Sequence, residues 1–344
     1  MRKLTLLFLL LALPTAALAG PVVINAVGDI MLAGSGTGLF NRTGYDYPFL
    51  ATSSELHRGD ITIGNLESPI TRSGEEFKGK KYRFRSAPAA AAALQRAGFN
   101  HLSLANNHIL DFGATGLRET IAILDGLGIS HAGAGSDLGS ARQMSIVTVK
   151  GIRIALLAYS LTYPAEFYAS GDRAGTAPGY ESYYRSDIAR AKKSADYVVV
   201  SFHWGTECDD SPRTYQKNTA HMAIDAGADV VLGHHPHVLQ GIEYYKDGVV
   251  FYSLGNFTFA SRSRKADRSM IARITLDNGI SAVEVIPLNV LYGDVKFQPR
   301  LLDAAGGDGV VKRLARLSAK MGTVISPDNG RYLVERRQQE IGWQ

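Results

Sequence analysis

Polar side chains capable of binding metal ions follow five short apolar segments of this 344-residue sequence. They are Asp29, Asn65, Glu67, Asn107, His203, His235 and His237. In open α/β sheets, ligands bind beyond the carboxyl ends of the strands, so we expect these side chains to converge on one site. A single polar residue at a strand end is more often a turn residue, whereas five such ends together indicate a functional site.

The mixture of donors in this set indicates a particular class of metal. Carboxylate and amide oxygens combined with imidazole nitrogens suit Mn²⁺, iron or Zn²⁺. Two such ions roughly 3.5 to 4 Å apart hold the attacking and leaving oxygens of a phosphoryl centre. Cys208 is the only cysteine, which excludes a thiolate-rich zinc site and an intramolecular disulfide. The residues therefore predict a site for divalent metal ions, two in number, with hydrolytic chemistry.

Strands and helices that alternate along the chain must position these residues. Hydrophobic patterning predicts strands over 22–32, 61–65, 99–104, 197–202 and 230–232, and helices over 89–96, 115–127, 186–195, 215–227 and 310–321. Hairpins are predicted over 145–159 and at the turns Lys246-Asp247-Gly248 and Asp277-Asn278-Gly279. A last strand is expected over 330–336, and the Gly- and Tyr-rich segment 164–184 is expected to form a loop or lid.

Six motifs occur in a fixed order between about residue 24 and about residue 259. They are Gly28-Asp29-Ile30-Met31, Gly64-Asn65-Leu66-Glu67, Ala105-Asn106-Asn107-His108, His203-Trp204-Gly205, Gly233-His234-His235-Pro236-His237 and Ser253-Leu254-Gly255-Asn256-Phe257. This order resembles the CapA family, which serves capsular poly-γ-glutamate synthesis. That family is similar to calcineurin-like metallophosphoesterases. The resemblance implies an α/β fold of two packed mixed β-sheets flanked by helices, an α/β/β/α sandwich.

The resemblance also implies a role for each matching residue. The implied metal ligands are Asp29, Asn107, His203, His235 and His237, with Glu67 near the position of a bridging aspartate and Asn65 beside it. His108 matches the histidine that protonates the leaving oxygen, a task that suits imidazole because it titrates near neutrality. Asp111 is spaced to orient His108, and an equally good interpretation is that it caps the helix that begins near Thr115.

One position departs from the phosphoesterase pattern. That pattern opens with Asp-x-His, but here the second position is Met31, whose thioether is a poor ligand for hard divalent ions. We therefore predict that one metal position is weakened or is rebuilt with Glu67 or His234.

Four further residues are candidates for binding substrate: Trp204, Glu207, His234 and Asn256. Trp204 is either a stacking platform or, twice as often for such a residue, part of the core. Glu207 either contacts substrate directly or supports the residues that do. Asn256 follows Gly255, which allows a close approach of the backbone to the site.

Residues 1–19 have the layout of a secretory signal peptide, with a charged start, an apolar run and the small-residue motif Ala17-Leu18-Ala19. A membrane anchor is the alternative, but Thr5, Pro14 and Thr15 interrupt the apolar run. We therefore expect an exported protein that is periplasmic, secreted or associated with the cell envelope. The expected organisation is a signal peptide at 1–19, a core domain at 20–297, and a helix and strand appendage to the same domain at 298–344.

The charge pattern bears on the partners. The segment 1–19 contains Arg2 and Lys3 and no acid, so its removal lowers the formal net charge from +5 to +3. Small basic clusters at 78–81, 262–268 and 336–337 lack the interleaved aromatic residues of nucleic-acid binders, so no nucleic-acid partner is expected. A solvated surface is the simpler interpretation of these clusters. The alternative is that they attract an acidic polymer or phosphate groups.

Two classes of function fit these observations. In the first, the protein is an exported metal-dependent hydrolase that acts on an anionic polymer or a phosphate ester, as a general metallophosphoesterase would. In the second, it is a non-catalytic module that binds poly-γ-glutamate and passes it to membrane-bound capsule synthesis or export proteins. The residues favour the first class, and the family resemblance implies polymer biosynthesis.

If residues 1–19 are a cleaved leader, the mature chain should begin at Gly20 and be recovered outside the cytoplasm. Mass spectrometry of the secreted or periplasmic protein measures this directly. Recovery of a chain that still carries Met1 to Ala19 would refute the cleavage site.

Overall fold

The computed structural model describes residues 20–328 and 331–337. The expected signal peptide and Gly330 lie outside the described residues. The strands are β1 (Val22–Ile30), β2 (Ile61–Leu66), β3 (His101–Ser103), β4 (Ser130–Ala132), β5 (Ala134–Gly135), β6 (Ser145–Val149), β7 (Ile152–Ser160), β8 (Gly175–Thr176), β9 (Tyr197–His203), β10 (Val230–His234), β11 (Ile242–Tyr245), β12 (Gly248–Phe251), β13 (Asn256–Thr258), β14 (Arg268–Leu276), β15 (Ile280–Asn289), β16 (Arg300–Leu301), β17 (Thr323–Asp328) and β18 (Arg331–Arg336). The α-helices are α1 (Thr37–Thr43), α2 (Ser53–Leu56), α3 (Ala89–Arg96), α4 (Gly113–Gly126), α5 (Leu138–Ala141), α6 (Glu181–Ala191), α7 (Thr214–Asp225), α8 (Tyr292–Val295) and α9 (Ala304–Ala319). Single 3₁₀ turns lie at Gly34–Gly36, Tyr47–Phe49, Ala165–Phe167 and Arg264–Ala266.

Two mixed sheets carry most of these strands. The larger sheet has the order β17-β18-β15-β14-β1-β2-β3-β4, with β13 beside β1 and β16 beside β15. The smaller sheet has the order β11-β12-β10-β9-β7-β6. Each sheet contains a parallel block, made of β1 to β4 in one and of β7, β9, β10 and β12 in the other. Antiparallel hairpins extend both blocks.

The two sheets pack face to face and each is covered by helices on its outer side. Ile24 and Ile63 of the larger sheet share one buried cluster with Val199 and Leu232 of the smaller sheet. On the outer faces, α3 and α4 pack against the larger sheet, while α6 and α7 pack against the smaller one. The α/β/β/α sandwich that the sequence predicted is therefore the fold observed. Among the residues described, no helix has both the length and the apolar character needed to cross a membrane.

The predicted hairpins β6 and β7, β11 and β12, and β14 and β15 are confirmed. Two helices begin well before the predicted residue. Helix α6 begins at Glu181, inside the segment expected to be a loop. Helix α9 begins at Ala304, where Asp303 accepts a hydrogen bond from the backbone N–H of Gly306 at 2.8 Å. The glycines in the first turns of α9 lower its intrinsic helix propensity and concealed its start in the sequence.

A close approach between β1 and the segment before β13 sets the position of Asp29. The backbone N–H of Asp29 donates to the carbonyl of Gly255 at 3.0 Å. A Cβ added at the preceding Gly28 would lie 1.8 Å from that same carbonyl oxygen. Only glycine at position 28 allows these two backbones to approach, so this residue is required for the site as well as for the fold.

Gly28→Ala should lower the free energy of unfolding by about 1–3 kcal/mol, because the new methyl group forces β1 away from Gly255. Gly126→Ala is the matched control, since a Cβ there meets no atom within 4 Å and the position is helical. This control should be neutral or stabilising by up to about 1 kcal/mol. Thermal or urea unfolding of both variants tests the contrast, and equal stability of the two would contradict it.

Candidate metal centre

The carboxyl ends of strands from both sheets meet at one place. Asp29 and Asn65 lie at the ends of β1 and β2 in the larger sheet, and His203 lies at the end of β9 in the smaller one. The amide of Asn65 donates to Asp29 Oδ1 at 2.8 Å and contacts His203 Nδ1 at 3.3 Å. The site therefore spans the seam between the sheets.

Asp29 is fully buried and is surrounded by hydrogen-bond donors. Its Oδ2 lies 3.0 Å from His237 Nδ1 and 3.3 Å from the backbone nitrogen of His235, and its Oδ1 lies 3.3 Å from His234 Nδ1. Burial alone would raise the pKa of this carboxyl, but His234 and His237 outweigh it and hold the pKa well below its usual value. Asp29 is therefore an anion in the protein.

Glu67 is also fully buried, but it lacks equivalent compensation. Its Oε1 lies 3.6 Å from His203 Nε2 and 3.9 Å from His237 Nε2, and it has no hydrogen-bond partner among the residues described. Burial and the charge of Asp29 raise the pKa of Glu67 well above its usual value. A buried carboxylate oxygen without a hydrogen-bond donor is unusual in a folded protein, and coordination of a metal ion would satisfy it.

The turn that carries His235 and His237 has an unusual backbone. Both residues have positive φ angles, of 92° and 58°, a conformation that residues with a side chain rarely adopt. Burial lowers the pKa of His235 to about 3, and the charge of His237 adds to this effect. Burial opposes protonation of His237 as well, but Glu67 and Asp29 outweigh it and raise its pKa to about 10. The positive φ angles of His235 and His237 are a form of backbone strain that is common at functional sites.

The ligand atoms fall into overlapping groups that could each hold a divalent ion. Within each group, the atoms lie within 4.8 Å of one another. The groups are Asp29 with Glu67 and His237, Glu67 with His203 and His235, and Glu207 with His235 and His237. The buried Nδ1 of His235 also has no hydrogen-bond partner among the described residues. The donor set and its unpartnered atoms therefore fit divalent metal ions, and Glu67 belongs to two of the three groups.

Asn107 and Asn106 connect the loop after β3 to this cluster. Asn107 Oδ1 accepts a hydrogen bond from His203 Nε2 at 2.9 Å. The fully buried Asn106 donates to Asn65 Oδ1 and to the carbonyl of Leu66, and its own Oδ1 accepts from the backbone of His108. Asn106 was missed as a site residue by the sequence reasoning, although it stands beside Asn107 in the same motif.

His108 forms a close pair with Asp111 and a contact with a lysine that the sequence reasoning also missed. His108 Nδ1 lies 2.7 Å from Asp111 Oδ2. Lys80 Nζ lies 2.6 Å from Asp111 Oδ1 and 2.9 Å from His108 Nδ1, and it also donates to the carbonyl of Asn107. Burial lowers the pKa of His108, Asp111 opposes that effect and Lys80 adds to it. Only 14% of the Lys80 side chain is exposed. Its place in a basic cluster had indicated a solvated side chain instead.

The predicted substrate contacts have different outcomes. Trp204 is fully buried, its ring stacks on Phe202 and its Nε1 donates to the carbonyl of Tyr252 at 2.9 Å. Trp204 therefore belongs to the core and does not form a surface for substrate, because it has no exposed face. His234 is buried against Asp29, and Asn256 Oδ1 accepts from His237 Nδ1 at 2.9 Å.

Comparison with known proteins places this arrangement in a family. The profile of the family described as "Bacterial capsule synthesis protein PGA_cap" matches residues 23–261. The chain belongs to this family. The PGA_cap match includes every predicted site residue from Asp29 to Asn256.

Two CapA proteins are similar to this chain over most of their own length. The capsule biosynthesis protein CapA of Bacillus anthracis is 34% identical over 290 residues, which cover 82% of this chain and 71% of that protein. The PGA biosynthesis protein CapA of Bacillus subtilis is 33% identical over 267 residues, which cover 77% and 70%. Among solved structures, the NAD nucleotidase of Haemophilus influenzae is similar with a TM-score of 0.47 at 14% identity, covering 83% of this chain and 59% of that one.

The charge state of His237 predicts how metal binding depends on pH. With a pKa of about 10, His237 is an imidazolium ion at neutral pH in the metal-free protein, and a metal can bind only the neutral ring. Binding of Mn²⁺ or Zn²⁺ at pH 7.5 should therefore release at least one proton, and the affinity should rise with pH from 6 to 9. Calorimetry in two buffers with different ionisation enthalpies counts the released protons. A binding heat that is the same in both buffers would contradict this.

Proposed function

We propose that this protein is an exported, metal-dependent hydrolase that acts on an anionic polymer or a phosphate ester in capsule or poly-γ-glutamate synthesis. The observation that carries the proposal is the bridging position of Glu67, a buried carboxylate shared by two candidate metal groups. Its unpartnered Oε1 lies between His203 and His237, one at the end of β9 and the other in the turn after β10. A surface that only binds a polymer has no need for such a carboxylate.

The residues divide into those that hold metal and those that move a proton. Asp29, Glu67 and His237 would hold one ion, and Glu67, His203 and His235 would hold a second with Asn107 nearby. Divalent ions at such a site supply positive charge to a phosphoryl or acyl oxygen and lower the pKa of water.

Proton transfer belongs to His108. Asp111 contacts His108 at Nδ1, so Nε2 is the nitrogen that remains to exchange a proton with a leaving oxygen. The carboxylate of Asp111 is fixed in turn by the backbone N–H of Phe84 and by Lys80, which keeps the imidazole in one orientation. The buried position of Asp111 supports this orienting role over that of an exposed helix cap.

The segment that packs against His108 carries several cationic side chains. The segment 78–85 brings Lys80 and Phe84 against the His108 and Asp111 pair. The same segment exposes Lys78, Lys81 and Arg85. Cationic side chains near the site raise the local concentration of an anionic substrate. This placement supports an acidic polymer or a phosphate ester over a neutral substrate.

A binding or assembly module is the second candidate, and Met31 is the observation that favours it. Met31 stands two residues after Asp29, where the resembling phosphoesterases have a histidine ligand, and it is buried. If the loss of this ligand leaves one metal position empty, the cluster would bind acidic polymer without cleaving it and pass it to membrane-bound partners.

Three alanine variants separate the two candidates. His235→Ala and His237→Ala should each lower the bound divalent metal, because each removes a direct ligand. His108→Ala should keep the metal and lower hydrolysis of an aryl phosphate by about 10²–10⁴-fold, the usual contribution of a proton donor. His131→Ala is the matched control, since His131 pairs with Asp125 outside the site.

Metal analysis, the aryl phosphate assay and polymer production in cells should be measured on the same variants. Normal polymer production in His108→Ala would favour the binding module over the enzyme. Unchanged metal content in both His235→Ala and His237→Ala would remove the metal site and the hydrolase with it.

A further inference from the structure

One of the candidate metal groups draws a residue from the protein surface. Glu207 is exposed, yet its carboxylate and one ring nitrogen each of His235 and His237 lie within 4.8 Å of one another. Its charge also acts on Glu67 and on His237. An exposed carboxylate that faces two histidines of a buried cluster is unlike the other acids on this turn, because Asp209 and Asp210 pair with Arg213 and Arg313 instead.

The backbone fixes Glu207 at this place. The backbone N–H of Cys208 donates to the carbonyl of Pro236 at 2.9 Å, which ties the turn after β9 to the turn that carries the two histidines. The backbone N–H of Gly205 donates to the hydroxyl of Tyr215 at 2.6 Å. Both Gly205 and Cys208 have positive φ angles, so the turn is tightly bent where it meets Pro236.

One of the candidate metal groups is short of a ligand. The group of Asp29, Glu67 and His237 supplies three donors, and Met31 stands where the resembling phosphoesterases have a further histidine ligand. A divalent ion needs at least four donors in most protein sites. Two divalent ions also carry four positive charges, against which the buried carboxylates Asp29 and Glu67 supply only two negative charges.

We propose that Glu207 is a metal ligand that replaces the one lost at Met31. It completes the shell of the ion held by His237, and it enters from the surface turn after β9 rather than from the end of β1. This assignment rests on the metal-dependent function proposed above. It changes the role expected of Glu207, from contact with substrate to contact with metal, and it explains how a two-metal site persists without the histidine of the Asp-x-His pattern.

The test is a titration of metal-stripped protein with Mn²⁺, in which free Mn²⁺ is counted by electron paramagnetic resonance. The wild-type protein should bind two ions. Glu207→Gln should bind one ion, or bind the second with a dissociation constant at least about tenfold higher. Asp210→Asn is the matched control, because it removes the same charge from the same turn without touching the cluster, and it should bind as the wild type does.

A second measurement separates loss of a ligand from loss of charge. The visible absorption of the Co²⁺-loaded protein reports the number and type of ligands, so its bands should change in Glu207→Gln and stay unchanged in Asp210→Asn. Two ions bound with wild-type affinity and an unchanged Co²⁺ spectrum in Glu207→Gln would overturn the assignment and leave the metal centre standing. A wild-type protein that binds no Mn²⁺, Zn²⁺ or Co²⁺ would overturn the metal centre itself.

Discussion

Two carboxylates buried side by side, Asp29 and Glu67, set the constraint on which the site depends. Removing an ionised carboxylate from water costs several kcal/mol unless a cation or several donors compensate it. Asp29 has His234, His237 and Asn65 around it, whereas Glu67 Oε1 has no partner among the residues described. The two buried carboxylates therefore place excess negative charge between the two sheets, which protonated His237 offsets in part and which divalent metal ions would offset fully.

That constraint determines how the sheets must meet. Asp29 and Glu67 come from the larger sheet, and the imidazoles that face them come from the smaller one, so the ends of β1 and β10 have to lie in contact. Glycine makes this approach possible on both sides: a Cβ at Gly28 would strike the carbonyl of Gly255, and a Cβ at Gly233 would lie 2.0 Å from the carbonyl of Tyr252. The left-handed backbone of His235 and His237 costs of order 1–3 kcal/mol per residue. The rest of the fold offsets this cost to keep both rings at the seam.

Residues whose positions follow from strand ends could be predicted from the sequence. Asp29, Asn65 and His203 each end an apolar strand, and parallel strands bring such ends to a common edge. Residues whose positions depend on loops could not be predicted. Lys80 stands in a run of lysines that is typical of solvent-exposed surface, and only the fold shows its ammonium group in contact with both His108 and Asp111.

Burial was the other property that the sequence did not determine. The sequence left open whether Trp204 is a stacking platform for substrate or part of the core, and its ring stacks on Phe202 and Tyr252 in the core. Glu207, only three residues further on, lies beyond the end of β9. The backbone of the turn therefore sets the direction of the Glu207 side chain. The hydrogen bond from Cys208 to Pro236 that fixes this turn cannot be predicted from a motif.

Strand ends thus position the candidate metal ligands, whereas loops surround His108. The candidate metal centre is built mainly on strand ends and on turns that require glycine, so its geometry tolerates little change. The segments beside His108 have little regular structure and are joined through side chains: Phe77 packs on Phe167 with ring centroids 5.0 Å apart, and Lys80 lies over the same Phe167 ring. Loops of this kind accept substitutions at low cost. Members of this family would therefore be expected to vary at the exposed positions of 74–85 and 161–178, and to keep Glu67 and the histidines that face it.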